Sequence, residues 1–191
     1  MHRRALILTV AATGIAMPLA LNRAAFAQST STGGSSSSSG SMKAMDSDDL
    51  KKMAAANGMA SLQSSQLAAK QASSSMVKQF AELEAEEQQN IMAAMKAMGD
   101  NPSGASIPDD KKQAMQRLQS ANGQEFDRLY VTNQLQAHQE LLTLHQNLLQ
   151  GTDKDSRDAV IPLLAVPSIK SHIAMLQMIQ QDMGSPSASS R

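Results

Sequence analysis

The fold is decided by residues 124–150, which read QEFDRLYVTNQLQAHQELLTLHQNLLQ. Apolar residues and two histidines recur in this stretch once per helical turn: Leu135, His138, Leu141, Leu142, His145, Leu148 and Leu149. Positions i, i+3, i+4 and i+7 share one face of an α-helix, so the pattern predicts a long amphipathic helix. Gly151 follows directly and is typical of a helix C-terminus.

The same spacing occurs in two other segments. Residues 76–98 carry the stripe Phe80, Leu83, Glu84, Glu87, Ile91, Ala94, Met95 and Met98, and the last segment carries Ile169, His172, Met175, Leu176 and Ile179. A first helix is expected from Asp46 or Ser47 to about Ala72, and a short one from Asp109 to Ser120. Asp153 is expected to cap the last segment, which Pro162 and Pro167 divide before it resumes to about Met183.

Residues 46–182 are therefore predicted to be an all-α domain. Four long amphipathic helices bury their stripes most simply as an antiparallel four-helix bundle, here with an extra short helix before the third long one. The chain contains three Phe and one Tyr, against 14 Met. We therefore expect a core packed by Leu, Ile, Ala and Met, with Phe126 and Tyr130 as anchors and Asp127 near a helix N-terminus.

The N-terminal residues are typical of an export signal. A basic start at Arg3 and Arg4 precedes an apolar segment, and Ala25-Phe26-Ala27 is a small-x-small cleavage pattern, so residues 1–27 are predicted to be a signal peptide cut after Ala27. An uncleaved membrane anchor is the alternative. Residues 28–45 are predicted to be a disordered Ser/Gly linker, and residues 183–191 a disordered tail.

Charge and cysteine content limit the partners. The chain has 17 Lys+Arg and 17 Asp+Glu, and removal of Arg3, Arg4 and Arg23 with the signal leaves 14 basic residues against 17 acidic ones. This acidic balance without a basic patch argues against nucleic acid. The chain has no cysteine, so a disulfide and a lipid-modified cysteine are both excluded. We expect a periplasmic or secreted protein without a transmembrane segment after cleavage, which associates with itself or with an envelope partner.

Three polar residues on the apolar stripes are candidate metal ligands: Glu87, His138 and His172. Facing helices of a bundle build metal centres from inward carboxylates and imidazoles, so a transition metal ion is the candidate cofactor. The alternative is a pair of core histidines hydrogen-bonded to Glu87, Gln134 or backbone, with Glu84 and Glu87 on a solvated flank. A di-metal centre is not indicated, because neither histidine belongs to a Glu-x-x-His motif.

Several residues resemble those of a known family. Phe126-Asp127-x-x-Tyr130, Gln134, His138 and Pro167-x-x-x-x-His172 resemble the bacterial exported domain-of-unknown-function family 4142, which is described as ferritin-like. That family commonly carries a Glu where this chain has Ser61, and an Asp-His pair where it has Glu86-Glu87. The resemblance implies a ferritin-like bundle that keeps His138 and His172, and it implies no assigned activity.

No motif in the chain specifies a reaction. The leading hypothesis is an exported, non-catalytic or weakly metal-binding bundle that serves as a binding or envelope-stress module. The alternative is a ferritin-like metal-binding protein or metal-dependent oxidoreductase.

Overall fold

The computed structural model describes residues 46–184, and this part of the chain forms five α-helices and no strand. They are α1 (Ser47–Gln71), α2 (Ser75–Ala97), α3 (Asp109–Ser120), α4 (Gly123–Gly151) and α5 (Val160–Gly184), with single 3₁₀ turns at Pro102–Gly104 and Arg157–Ala159. The predicted all-α class is confirmed. The expected signal peptide and linker, and residues 185–191 of the expected tail, lie outside the described residues.

The four long helices pair side by side. Ser61 and Ser65 of α1 contact Gln134 and Tyr130 of α4, so these two helices are antiparallel. The short turn at residues 72–74 makes α1 antiparallel to α2, and the longest helix, α4, packs against α5 in the same way. Since α2 and α4 are both antiparallel to α1, they begin at the same end, and the segment between them crosses from one end to the other. This segment contains α3, which packs against α1 and α4.

The carboxylate of Asp127 fixes the end at which α2 and α4 begin. Its two oxygens accept hydrogen bonds from the backbone amides of Ser73 (3.0 Å) and Ser74 (2.8 Å), at the start of α2. These amides precede the first helical turn and have no partner within the helix. Asp127 therefore lies near the N-terminus of its own helix, as expected, and also caps the neighbouring helix.

Two apolar clusters form the core. One surrounds Phe80, Phe126 and Tyr130, which are at most 2% exposed, and the other surrounds Leu141, Leu148 and Ile169. The aromatic residues are packing anchors as predicted. The expected methionine-packed core is wrong, because no methionine of residues 46–184 is among the buried residues. Small Ala side chains bring the helices close together instead, and leave the longer thioethers at the margins.

The expected division of the last helix by prolines is also wrong, because α5 runs unbroken from Val160 to Gly184. Pro162 lies in the first turn, where a missing N–H costs nothing. Pro167 removes one backbone hydrogen bond, but Ala165 and Ile169 on either side of it pack against α4, and this burial maintains the helix.

Arg157–Gly184, which includes α5, is long and apolar enough to cross a membrane, with a mean hydropathy of 1.6 in its 18-residue window. Such a segment was not expected after residue 27. Length and composition alone are weak evidence, since core helices of soluble proteins meet the same criterion. This helix places Ile169 and Leu176 in the core, while 28% of the window is buried. Much of its apolar surface is therefore exposed.

Candidate metal centre

A layer of buried polar side chains separates the two apolar clusters. It contains Asn57, Ser61 and Ser65 of α1, Glu84 and Gln88 of α2, and Gln134 and His138 of α4, all at most 7% exposed. His172 of α5 joins this layer with its side chain 13% exposed. Buried polar groups destabilise a fold unless they find partners, so the contacts within this layer decide what it can do.

Three potential ligand atoms converge at its centre. The Oε2 atom of Glu84 lies 3.2 Å from Nε2 of His138 and 3.0 Å from Nδ1 of His172. The two imidazole nitrogens are themselves 3.2 Å apart. One carboxylate oxygen and two ring nitrogens thus form a nearly equilateral triangle, built by three different helices.

Each imidazole has an acceptor for its other nitrogen. Nδ1 of His138 lies 2.8 Å from the backbone oxygen of Gln134, and Nε2 of His172 lies 3.2 Å from Oε2 of Glu87. Since a carbonyl or carboxylate oxygen accepts the hydrogen bond, these outer nitrogens carry the protons. In its neutral form each ring therefore presents a lone pair, from His138 Nε2 or His172 Nδ1, to the centre of the triangle.

The carboxylate of Glu84 is oriented in the same way. Its Oε1 atom accepts hydrogen bonds from Ser61 Oγ at 2.6 Å and from Gln88 Nε2 at 3.0 Å. Its Oε2 atom faces the two histidines. Outer donors and acceptors therefore hold all three side chains, an arrangement typical of the residues around bound metal ions.

The polar network continues from Ser61 toward the aromatic cluster. Ser61 Oγ also lies 2.8 Å from Oε1 of Gln134, whose amide nitrogen donates to Ser64 and Ser65. Ser65 Oγ is 2.8 Å from the hydroxyl of Tyr130. Burial raises the pKa of Tyr130 well above its usual value, so this hydroxyl stays protonated.

Without a metal, protons hold the cluster together. Burial opposes ionisation of Glu84, but hydrogen bonds to His138, His172 and Ser61 outweigh it and keep the pKa of the carboxyl well below its usual range. Burial likewise opposes a charge on His172, yet the carboxylates of Glu84 and Glu87 raise the pKa of this imidazole. A proton on Nδ1 of His172 can then donate to Glu84 Oε2.

The spacing of the three atoms fits a metal ion. Metal–ligand bonds of about 2.0–2.1 Å at tetrahedral or octahedral angles place neighbouring ligand atoms roughly 2.8–3.4 Å apart. The three observed separations, from 3.0 to 3.2 Å, lie within that range. Two imidazoles and one carboxylate suit iron, zinc and other first-row metals, and they leave further coordination positions open.

The structure brings together two of the three metal ligands predicted from the sequence. The structure brings His138 and His172 together, but the carboxylate between them belongs to Glu84, which is fully buried, and not to Glu87. Glu87 is partly exposed, contacts the outer nitrogen of His172 and accepts a hydrogen bond from Ser168 at 2.7 Å. Both glutamates were expected on a solvated flank, but only Glu87 is partly exposed and Glu84 is buried. Glu84 lies four residues after Phe80 and four before Gln88, on the buried face of α2, but Glu87 belongs to the same predicted stripe.

His145 lies apart from this cluster, two turns further along α4. It is 7% exposed, and its Nδ1 atom finds no hydrogen-bond partner within residues 46–184. Burial lowers the pKa of His145 to about 4, so the ring is neutral at physiological pH. This histidine lines a cavity that also reaches His138 and His172.

Fold and site together define a class: helical proteins with an oriented cluster of two histidines and a carboxylate inside the bundle of helices. The family model for a domain of unknown function (DUF4142) matches residues 31–179, and the chain belongs to this family. No curated protein and no solved structure matches the chain.

Proposed function

We propose that the protein binds one divalent transition metal ion through Glu84 Oε2, His138 Nε2 and His172 Nδ1. The observation that carries the proposal is the convergence of these three atoms, 3.0–3.2 Å apart, while every outer atom of the same side chains has its own partner. In the outer contacts, Gln134 and Glu87 fix the tautomers of the two imidazoles, and Ser61 and Gln88 orient Glu84.

The ferritin-like four-helix bundle belongs to this proposal. Two antiparallel pairs, α1 with α2 and α4 with α5, are joined by one long crossing segment. A single long crossover is the connection found in ferritin-like bundles, which hold metals between facing helices. The family match and the polar layer across the helices support the same interpretation.

A titration of the metal-free full chain with Zn²⁺, Co²⁺ and Fe²⁺ tests the proposal. We expect one ion per chain in the unaltered protein and no stoichiometric binding after Glu84→Gln or His172→Ala. Glu82→Gln is the matched control, because Glu82 lies in the same acidic stretch of α2 but is exposed. Equal binding by the unaltered chain and the Glu84→Gln variant would overturn the assignment.

A metal-dependent oxidoreductase is the second candidate function. Two imidazoles and one carboxylate with open positions are the ligand set of non-haem iron oxygenases, and such an ion supplies redox or Lewis-acid chemistry when bound. The residues of this chain bind and orient the ion. Oxygen consumption by the Fe²⁺-loaded protein, compared with the His172→Ala variant, distinguishes this function from binding alone.

We also propose that the protein acts in the cell envelope, after export by the signal at residues 1–27, as a binding or stress-related module. The exposed apolar surface of α5 supports an envelope partner or self-association, since Leu164 and Met178 are 68% and 70% exposed. Cell fractionation and the N-terminal sequence of the mature protein test the location. An intact N-terminus in a cytoplasmic fraction would overturn it.

A further inference from the structure

One internal cavity reaches the candidate metal centre from the end of the bundle where α1 and α5 begin. It has a volume of about 60 Å³, and His138 and His172 form part of its inner wall. Lys51 and Asp158, which form an ion pair at 2.6 Å, lie at the opposite end of the cavity. The cavity thus links two metal-ligand residues to a polar group near the surface.

The other side of the centre is closed by an aromatic residue. The ring of Phe80 lies edge-on to His172, with 5.5 Å between ring centres, and is tilted against His138 at 6.0 Å. Phe80 is 2% exposed and packs against Tyr130 in the apolar cluster. A ligand for the open positions of the metal would therefore approach from the cavity, or from the groove between α2 and α5 that shares Ala165 and His172 with it, and not through this cluster.

The shape of the cavity limits what it can hold. Its wall on α4 extends from His138 to Leu148, which is about 15 Å along a helix axis. A volume of about 60 Å³ holds roughly four water molecules. Spread over that length, so small a volume favours narrow ligands of a few non-hydrogen atoms.

The walls are mostly apolar between the two ends, and Glu87, Gln88, Asp100 and His145 add polar side chains to them. Met92, Met95 and Ile161 line the cavity, and so does the buried His145. Its Nδ1 atom has no hydrogen-bond partner within residues 46–184 and is itself buried, so it is not exposed to a molecule in the cavity. A cavity of this kind admits small, weakly hydrated molecules more readily than strongly hydrated ions.

We propose that this cavity conducts linear ligands of two or three non-hydrogen atoms to the metal. The inference rests on the proposed metal site. Dioxygen, nitric oxide, peroxide and azide share the required chemistry, because each is narrow and binds a metal through one end atom.

Azide binding to the Co²⁺-loaded full chain tests the route by stopped-flow absorbance. Ala54 is 8% exposed in the cavity wall and does not line the groove between α2 and α5, so Ala54→Leu fills the cavity without filling the groove. We expect azide association to slow by about tenfold, which corresponds to ~1.4 kcal/mol in the barrier, while Co²⁺ affinity is unchanged. Ala165→Leu, in a wall that the cavity shares with the groove, is expected to act in the same way and serves if Ala54→Leu misfolds.

Ala137→Leu is the matched control, because Ala137 is similarly buried but faces a separate pocket beside α3. Unchanged azide association in both cavity variants would overturn the route. So would slowing by Ala94→Phe alone, since Ala94 lines the groove between α2 and α5, which also reaches His172 but does not include Ala54. Failure of azide to bind the Co²⁺-loaded chain overturns the inference and leaves the metal site standing, whereas failure to bind Co²⁺ overturns the metal site itself.

Discussion

The Nδ1 atom of His138 lies 2.8 Å from the backbone oxygen of Gln134, one turn earlier in α4. The backbone of α4 therefore fixes the tautomer of His138, because a carbonyl oxygen can only accept and the proton must lie on Nδ1. The Nε2 lone pair then faces Glu84 and His172. A backbone carbonyl in this role is common behind metal-binding histidines, and it cannot be lost by a side-chain substitution at residue 134.

Replacement of Glu87 tests the corresponding contact on His172. Glu87→Gln removes the negative charge that makes the imidazole more basic, so we expect metal affinity to fall by about 10- to 100-fold without loss of the one-to-one stoichiometry. Competition with a chromophoric chelator measures the affinity. Glu86→Gln, an exposed neighbour, is the control. Equal affinities for the Glu86→Gln and Glu87→Gln variants would show that Glu87 does not orient His172.

The buried charge of Glu84 predicts an unusual order of stabilities in the metal-free protein. A double variant, His138→Leu with His172→Leu, leaves the carboxylate with only Ser61 and Gln88, and we expect a loss of about 3 kcal/mol in the free energy of unfolding. Addition of Glu84→Leu is expected to recover most of that loss, since no buried carboxylate is then left without its partners. Urea unfolding measures both. A triple variant less stable than the double variant would contradict this.

His145 predicts a specific loss of stability in acid. Its pKa is lowered to about 4 in the folded protein, and the unfolded chain binds the proton near pH 6.5. The stability is therefore complete above pH 6.5 and falls between pH 6.5 and 4, by up to about 3 kcal/mol. Unfolding free energies at pH 7 and pH 4 measure the loss. The His145→Leu variant is expected to lose less than the unaltered protein, and equal losses would refute this prediction.

Asp127 predicts the stability of the end where α2 and α4 begin. Asp127→Ala leaves the amides of Ser73 and Ser74 without their acceptor, at an expected cost of about 2–3 kcal/mol in the free energy of unfolding. Asp127→Asn keeps one oxygen, so about half of that loss is expected. Thermal unfolding of the two variants supplies the comparison. If the Asp127→Ala variant were as stable as the unaltered chain, Asp127 would not stabilise this end of the fold.

The helices could be predicted from the sequence because their periodicity is a local property. The spacing around Leu141 and His145 requires only that one face be buried. The unbroken α5 could not be predicted in this way, because Pro167 is locally unfavourable and only the packing of Ala165 and Ile169 against α4 compensates for it. The position of the methionines depended in the same way on how closely the Ala residues let the helices approach.

The site was predicted to within one helical turn. His138 and His172 stand on apolar stripes, and this pattern identified both. Glu84 and Glu87 are three residues apart on the same stripe, so periodicity could not decide which carboxylate is central. The decision comes from a neighbouring helix, since Ser61 of α1 donates to Glu84. The contact of Ser61 with Glu84 is made between two helices, so the spacing of residues within α2 does not indicate it.

Anomalous diffraction from crystals of the full chain, grown with Zn²⁺ and recorded on both sides of the zinc absorption edge, tests the metal site most directly. We expect a single strong anomalous peak within about 2.2 Å of Glu84 Oε2, His138 Nε2 and His172 Nδ1. Absence of a peak between these three atoms would contradict the proposed centre, whether or not zinc binds elsewhere in the crystals.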